Sequence, residues 1–232
     1  MFKVLAAAYE AKTAGVKVEL LPSSQTEGAI ASVKTNLVDI GAVSRPLKPE
    51  EDEGQVQYRE VVQDLLMVAT HKSVTGVENL TTEQLKAIYS GAIQNWQEVG
   101  GPNAPIVVLD RPEDESAKKL LRKHYLGADL KTDQAIVFKK ESELIETLQN
   151  TPNSIGAFSL AYSIANQLPV HHLSLNSIAP TTESWAKKDY PMVRSLGIVW
   201  SKSPSTPTQS FIDFIFSPEA GTALKEAGYQ VP

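Results

Sequence analysis

The 232-residue sequence contains no cysteine. A disulfide framework, a thiolate metal site, a cysteine nucleophile and thiol redox chemistry are therefore excluded. No apolar stretch approaches the roughly 18 residues that a bilayer-spanning helix needs, so no membrane span is expected. Basic residues are the minority, 22 Lys plus Arg against 27 Asp plus Glu, and the formal charge is -5. Phosphate backbones are gripped by clustered Lys and Arg, and without such a block DNA and RNA are poor partners. Enzyme signatures are missing as well: there is no GxSxG elbow, GxGxxG loop, Walker loop or HExxH helix. The first residues carry neither the charged region nor the cleavage site of a signal peptide and run straight into a helical pattern.

What is present is 42% hydrophobic residues, ample for a packed core in one large or two small domains. Apolar residues Phe2, Leu5, Ala6 and Tyr9 recur at helical spacing until Gly15, and 16–21 alternates like a strand up to Pro22. A second helix is expected from Thr26 as N-cap to Asn36, followed by a strand over 39–43. Helix, strand, helix, strand in that order implies parallel strands with helices on the faces.

After the acidic loop 49–53, residues 61–70 read as a buried strand that enters a new section. Thr81 and Gln84 form a capping-box pair at the start of a helix that stops at Gly91. Strands are expected over 105–110, 135–139 and 154–160, with helices over 114–126 and from Ser142 to Leu148. From about 167 the pattern resumes with strand 172–175, helix 182–188, strand 196–200, and helices at Pro207 and Pro218.

Adjacent His171 and His172 point to opposite faces of a strand and cannot clasp one metal ion, and the acids Asp110, Glu113, Asp114 and Glu115 lack calcium-loop spacing. Those acids suit a helix N-terminus. No metal site and no cofactor are expected. Helix starts that carry hydroxyls and a basic residue remain: Thr26 at one, and at another Arg111, which ends a strand, with Ser116 in the turn beyond. In an open α/β sheet, ligands bind outside the carboxyl ends of strands, and Arg offers a planar fork to an oxyanion. Plain N-capping with a surface salt bridge explains the same spacing.

The segment Asp39-Ile40-Gly41-Ala42-Val43-Ser44-Arg45-Pro46-Leu47 resembles the part that bears ligand-binding groups in the PstS-like branch of the periplasmic binding proteins, the phosphate-binding proteins of ABC transporters. The block from Leu80 to Gly91, then Asn95-Trp96-Gln97-Glu98-Val99-Gly100-Gly101, then residues 105–111, follows the same family in order and spacing. Residues 154–160 and 211–232 complete a likeness over essentially the whole chain, and the Asn-Trp-x-Glu-Val-Gly-Gly block is its specific part.

The resemblance implies an α/β, two-lobed type II binding-protein fold, each lobe a central mixed sheet flanked by helices, with a hinge between them. Lobe one would hold 1–66 plus 167–232, and lobe two 67–166. The implied function is capture of inorganic phosphate or a similar oxyanion for an ABC transporter permease, at a periplasmic or cell-surface location, without catalysis. Thr26 falls where the family uses a hydroxyl at a helix start. Ser44 stands where some members carry an aspartate, with Arg45 beside it, and Arg111 matches the anion-binding arginine.

Two departures stand out. Where many members have Gly-Ser-Gly-Thr after that arginine, this chain has Glu115 at the serine, Ser116 at the second glycine and Ala117 at the threonine. Glu115 could turn outward, occupy the anion position, or donate to a ligand as the protonated acid; Pro112 alters the turn and points to the first. The family's opening strand and loop also lie before Met1, so lobe one should expose a strand edge or recruit a substitute. A degenerate sensor or adaptor that no longer binds phosphate is the alternative from another class. An enzyme using the acids near Asp114 is a second, with no base, nucleophile or metal set assembled for it.

Overall fold

A computed structural model describes residues 1–22, 25–52 and 54–232. The chain divides into two compact units, one of 1–64 with 194–232 and one of 65–193. The first division falls inside the strand Val56–His71 and the second at the start of the strand Val193–Ser201.

In the first unit, the strand Ile40–Val43 pairs antiparallel with Val193–Ser201, Ile40 opposite Trp200 and Val43 opposite Gly197. Val193–Ser201 in turn neighbours Val56–His71. Helix Phe2–Lys12 buries Leu5, Ala6 and Tyr9, the stripe its spacing predicts, and Tyr9 stacks at tilted angles on Phe211 and Phe214. Those two rings belong to helix Thr206–Ile215, which Ser205 caps and whose second residue is Pro207; helix Pro218–Glu226 follows, capped by Ser217.

Residues 16–21 differ from expectation. They form no strand and pair with none among the described residues, and Val16, Leu20 and Leu21 are exposed. Alternation predicts an extended backbone, yet a strand also needs a partner edge. Here the Val18 amide donates instead to Glu10 Oε1 at 2.7 Å. A groove of about 890 Å³ lies between this segment and residues 37–42. The parallel arrangement expected for the first strands is also replaced, because the neighbour of Ile40–Val43 comes from the far end of the chain and runs antiparallel.

The second unit holds a mixed sheet. The distal half of Val56–His71 pairs antiparallel with Ser154–Ser159 on one edge and with Val170–His172 on the other. Ser154–Ser159 is parallel to Val107–Asp110, which is parallel to Ile136–Val137. A small parallel pair, Asn79–Leu80 with Ser174–Leu175, stands apart. All six residues of Ser154–Ser159 are buried, as expected of a strand covered on both faces.

The return to the first unit comes at 194 rather than 167. The stretch from 167 to 193 lacks strong alternation, and its ties are non-local: Val170–His172 completes the sheet, the Tyr190 hydroxyl donates to Leu66 O at 2.6 Å, and Met192 O accepts from the Leu66 amide at 2.9 Å.

Local boundaries shift in places. Gln25 caps helix Thr26–Lys34, so Thr26 is its first residue. Helix Glu141–Asn150 starts one residue before Ser142, and the helix expected over 114–126 is Ser116–Leu121 followed by a wider π-turn, Arg122–Leu126.

Candidate anion-binding site

Two clusters hold the six expected residues, each at the carboxyl end of a strand. In the first unit, Ile40–Val43 delivers Ser44. Gly41 lets the helix Thr26–Lys34 lie close against that strand, since a Cβ there would sit 3.0 Å from Ala29 O and 2.9 Å from a Val199 methyl. The close approach sets Thr26 Oγ1 3.2 Å from Ser44 Oγ, and the Ser44 amide donates to Thr26 Oγ1 at 3.2 Å. Two hydroxyls thus share one point beside a helix start, where unpaired N–H groups favour an anion.

Arg45, next in sequence, is committed elsewhere. Its guanidinium makes a two-pronged pair with Glu51, 2.7 Å from Nη1 and 2.8 Å from Nη2, and Nη2 also reaches Glu27 at 2.7 Å. The hydrogen bonds from Arg45, then that from the Lys48 amide, hold the Glu51 carboxyl down at about 2, and the carboxylates in return raise the Arg45 guanidinium.

In the second unit, Val107–Asp110 delivers Arg111. Asp110 Oδ1 accepts from the Arg111 amide at 2.8 Å, and Arg111 Nη1 donates to Phe138 O at 2.9 Å, just beyond the neighbouring strand Ile136–Val137. The guanidinium is therefore anchored at Nη1 by one backbone carbonyl, while Asp110 holds the residue's own amide, and Arg111 is only 7% exposed. Its other arm meets Glu115: Nη2 lies 3.2 Å from Oε2. The acid does not turn outward. It sits on the fork, because Glu115 is the residue that caps helix Ser116–Leu121 and its own side chain makes no capping bond there. Ser116 is the first residue of that helix.

Sequence reasoning missed Lys118. Lysine is ordinarily a surface residue, yet this one is 1% exposed and its Nζ is bound to Asp110 Oδ2, with Thr132 Oγ1 at 3.3 Å and the Tyr89 ring nearby. A signal was available: Lys118, Leu121 and Tyr125 fall at i, i+3 and i+7, the spacing of one buried helix face. Glu113 is held by Arg122 at 3.0 Å and 2.6 Å, which keeps its carboxyl below the usual range.

His171 and His172 turn to separate partners, Val74 O and Ser163 Oγ, each at 2.9 Å. Among the described residues, no three His, Cys, Asp or Glu side chains are grouped to hold a metal ion, and no helix is long and apolar enough to cross a membrane.

The family profile of the PBP superfamily domain matches residues 1–219. The phosphate-binding protein PstS of Borreliella burgdorferi is 33% identical over 201 residues, covering 82% of this chain and 71% of that protein. PstS of Bacillus subtilis is 26% identical over 166 residues, 70% of this chain and 54% of the longer relative. Among solved structures, a phosphate ABC transporter substrate-binding protein with bound phosphate from Clostridium perfringens superposes with a TM-score of 0.84 at 27% identity, covering 99% of this chain and 93% of that one. An ABC-type phosphate transport receptor from Vibrio cholerae shares the fold at 24% identity and a TM-score of 0.70, over 100% and 95% of the two chains. By its matched span and its likeness to these proteins, the chain belongs to the PBP superfamily and, within it, to the PstS-like phosphate-binding proteins.

Proposed function

We propose that this chain captures inorganic phosphate, or an oxyanion close to it, and delivers it unchanged to the permease of an ABC importer, working outside the cytoplasm. Arg111 is the fixed cation and the Ser116 hydroxyl a neutral donor in the second unit, and Thr26 and Ser44 are the hydroxyl donors in the first. Arg45 acts indirectly: with its fork taken by Glu27 and Glu51, it braces the turn that carries Ser44.

The observation that carries this reading is the buried Arg111 guanidinium with a carboxylate already seated 3.2 Å away. A carboxylate is an oxyanion, so a fork that accepts Glu115 has the geometry and desolvation to accept another. Neutral donors suit such a site, since they stabilise the anion without adding charges that must themselves be desolvated. Membership among the PstS-like proteins supplies the choice of phosphate, as does the phosphate bound in the Clostridium perfringens relative.

The occupied fork also supports a second reading, a sensor or adaptor that no longer takes phosphate and signals through protein contacts. Equilibrium dialysis against labelled phosphate separates the two. A transport receptor retains label at about micromolar phosphate, whereas no retention up to millimolar concentration sinks the capture reading and leaves the adaptor.

A further inference from the structure

We propose that Glu115 is a tethered competitor for the anion position on Arg111, so that phosphate affinity is set by how readily this carboxylate leaves the fork. The inference rests on the phosphate reading above and adds to it a residue that tunes binding.

Four acids surround the turn, and three are engaged elsewhere or turned away. Asp110 is bound to Lys118 and to the Arg111 amide, Glu113 to Arg122, and Asp114 is exposed. Only Glu115 pairs with the Arg111 guanidinium among the described residues. Its backbone is pinned, the amide donating to Pro112 O at 3.0 Å and the carbonyl accepting from the Lys119 amide at 2.9 Å. Its side chain is not: 26% remains exposed, and rotation about its side-chain bonds carries the carboxylate to water with no change in the fold. Arg111, anchored through Nη1 to Phe138 O, stays in place when the carboxylate departs.

Two states follow, one with Glu115 on the fork and one with the fork open, and only the open state has both a free arm and no negative charge beside the ligand. Apparent affinity is then the intrinsic affinity multiplied by the open fraction. A charge-assisted pair of this kind closes the fork in about nine molecules of ten or more, so neutralising the acid tightens phosphate binding at least about tenfold. At the same position a serine removes the competitor and adds a donor.

Phosphate is titrated calorimetrically into the wild-type chain, Glu115→Gln and Glu115→Ser, with urea unfolding as the check that each variant is folded. The expected result is tightening of at least about tenfold in both variants. Binding only in the variants, with a silent wild type, supports the inference in its extreme form. Wild-type binding that neither variant improves overturns the competitor role and leaves phosphate capture standing. Silence in all three up to millimolar phosphate overturns both. Should Glu115→Ser fail to fold, Glu115→Gln, which keeps size and shape, carries the test alone.

Discussion

Lys118 Nζ is bonded to Asp110 Oδ2 in a pair whose side chains are 0% and 4% exposed. Asp110 spends its other oxygen on the Arg111 amide. The buried lysine thus holds the carboxylate that sets the backbone from which Arg111 projects. Removing one member of a buried pair strands the other charge, at a cost of about 3–5 kcal/mol. Lys118→Met is expected to lose stability on that scale in urea unfolding, and Lys118→Met with Asp110→Asn to recover part of it. A loss under about 1 kcal/mol in the single variant contradicts a structural role for the pair.

Thr26→Val removes the oxygen that the Ser44 amide and hydroxyl share. A stranded, half-buried donor costs about 1 kcal/mol, a shift measurable in thermal unfolding. Phosphate affinity is expected to fall about tenfold, and Thr26→Ser, which keeps the oxygen, to retain both properties. Equal losses in the Val and Ser variants would assign the effect to packing.

The Glu51 carboxyl gives a pH signature. Its folded value of about 2 lies below its ordinary value of 4.5, so its contribution is present above pH 4.5 and fades as pH falls toward 2. The pair with Arg45 is partly open to solvent, and screening limits the contribution to about 0.5–1 kcal/mol. Stability measured between pH 6 and pH 3 should therefore decline more steeply in the wild type than in Glu51→Gln. Identical slopes refute the assignment.

The tryptophan of the Asn-Trp-x-Glu-Val-Gly-Gly block is structural. Trp96 is 0% exposed and donates its indole N–H to Asn153 O at 2.9 Å, Asn95 and Glu98 form a capping box, and a Cβ on Gly101 would press on Trp96 O at 3.1 Å. Trp96→Leu should destabilise the chain by about 3 kcal/mol or more in urea unfolding, by the rule for large buried side chains. Phosphate affinity in the folded fraction should not change. A selective loss of affinity would move this block into the site.

Features encoded within a few residues were legible. Thr81 with Gln84 and the stop at Gly91, which has a φ of 78°, need only local chemistry, and the structure forms them as read. Thr26 was likewise read at a helix start, although Gln25 is the N-cap there, and Arg111 at a strand end. What needed a distant partner was not legible. Residues 16–21 alternate but find no edge, Ile40–Val43 takes its neighbour from a strand more than 150 residues away, and the late return at 194 depends on Leu66 binding Met192 and Tyr190. Glu115 was misread for a related reason: Pro112 suggested a turn that swings it out, whereas the buried guanidinium draws it in. The same burial makes Arg111 part of the fold as well as of the site. Its bond to Phe138 O makes a loss of about 1–3 kcal/mol the expected cost of Arg111→Ala.

The measurement that bears most directly on phosphate capture is a calorimetric titration of phosphate into the wild-type chain and Arg111→Ala, both above 90% folded by urea unfolding. Binding at about micromolar or tighter in the wild type, weakened at least about tenfold in the variant, is the predicted result. Absence of binding in the wild type up to millimolar phosphate, or equal affinity in the two proteins, would contradict the assignment of Arg111 as the cation that holds the anion.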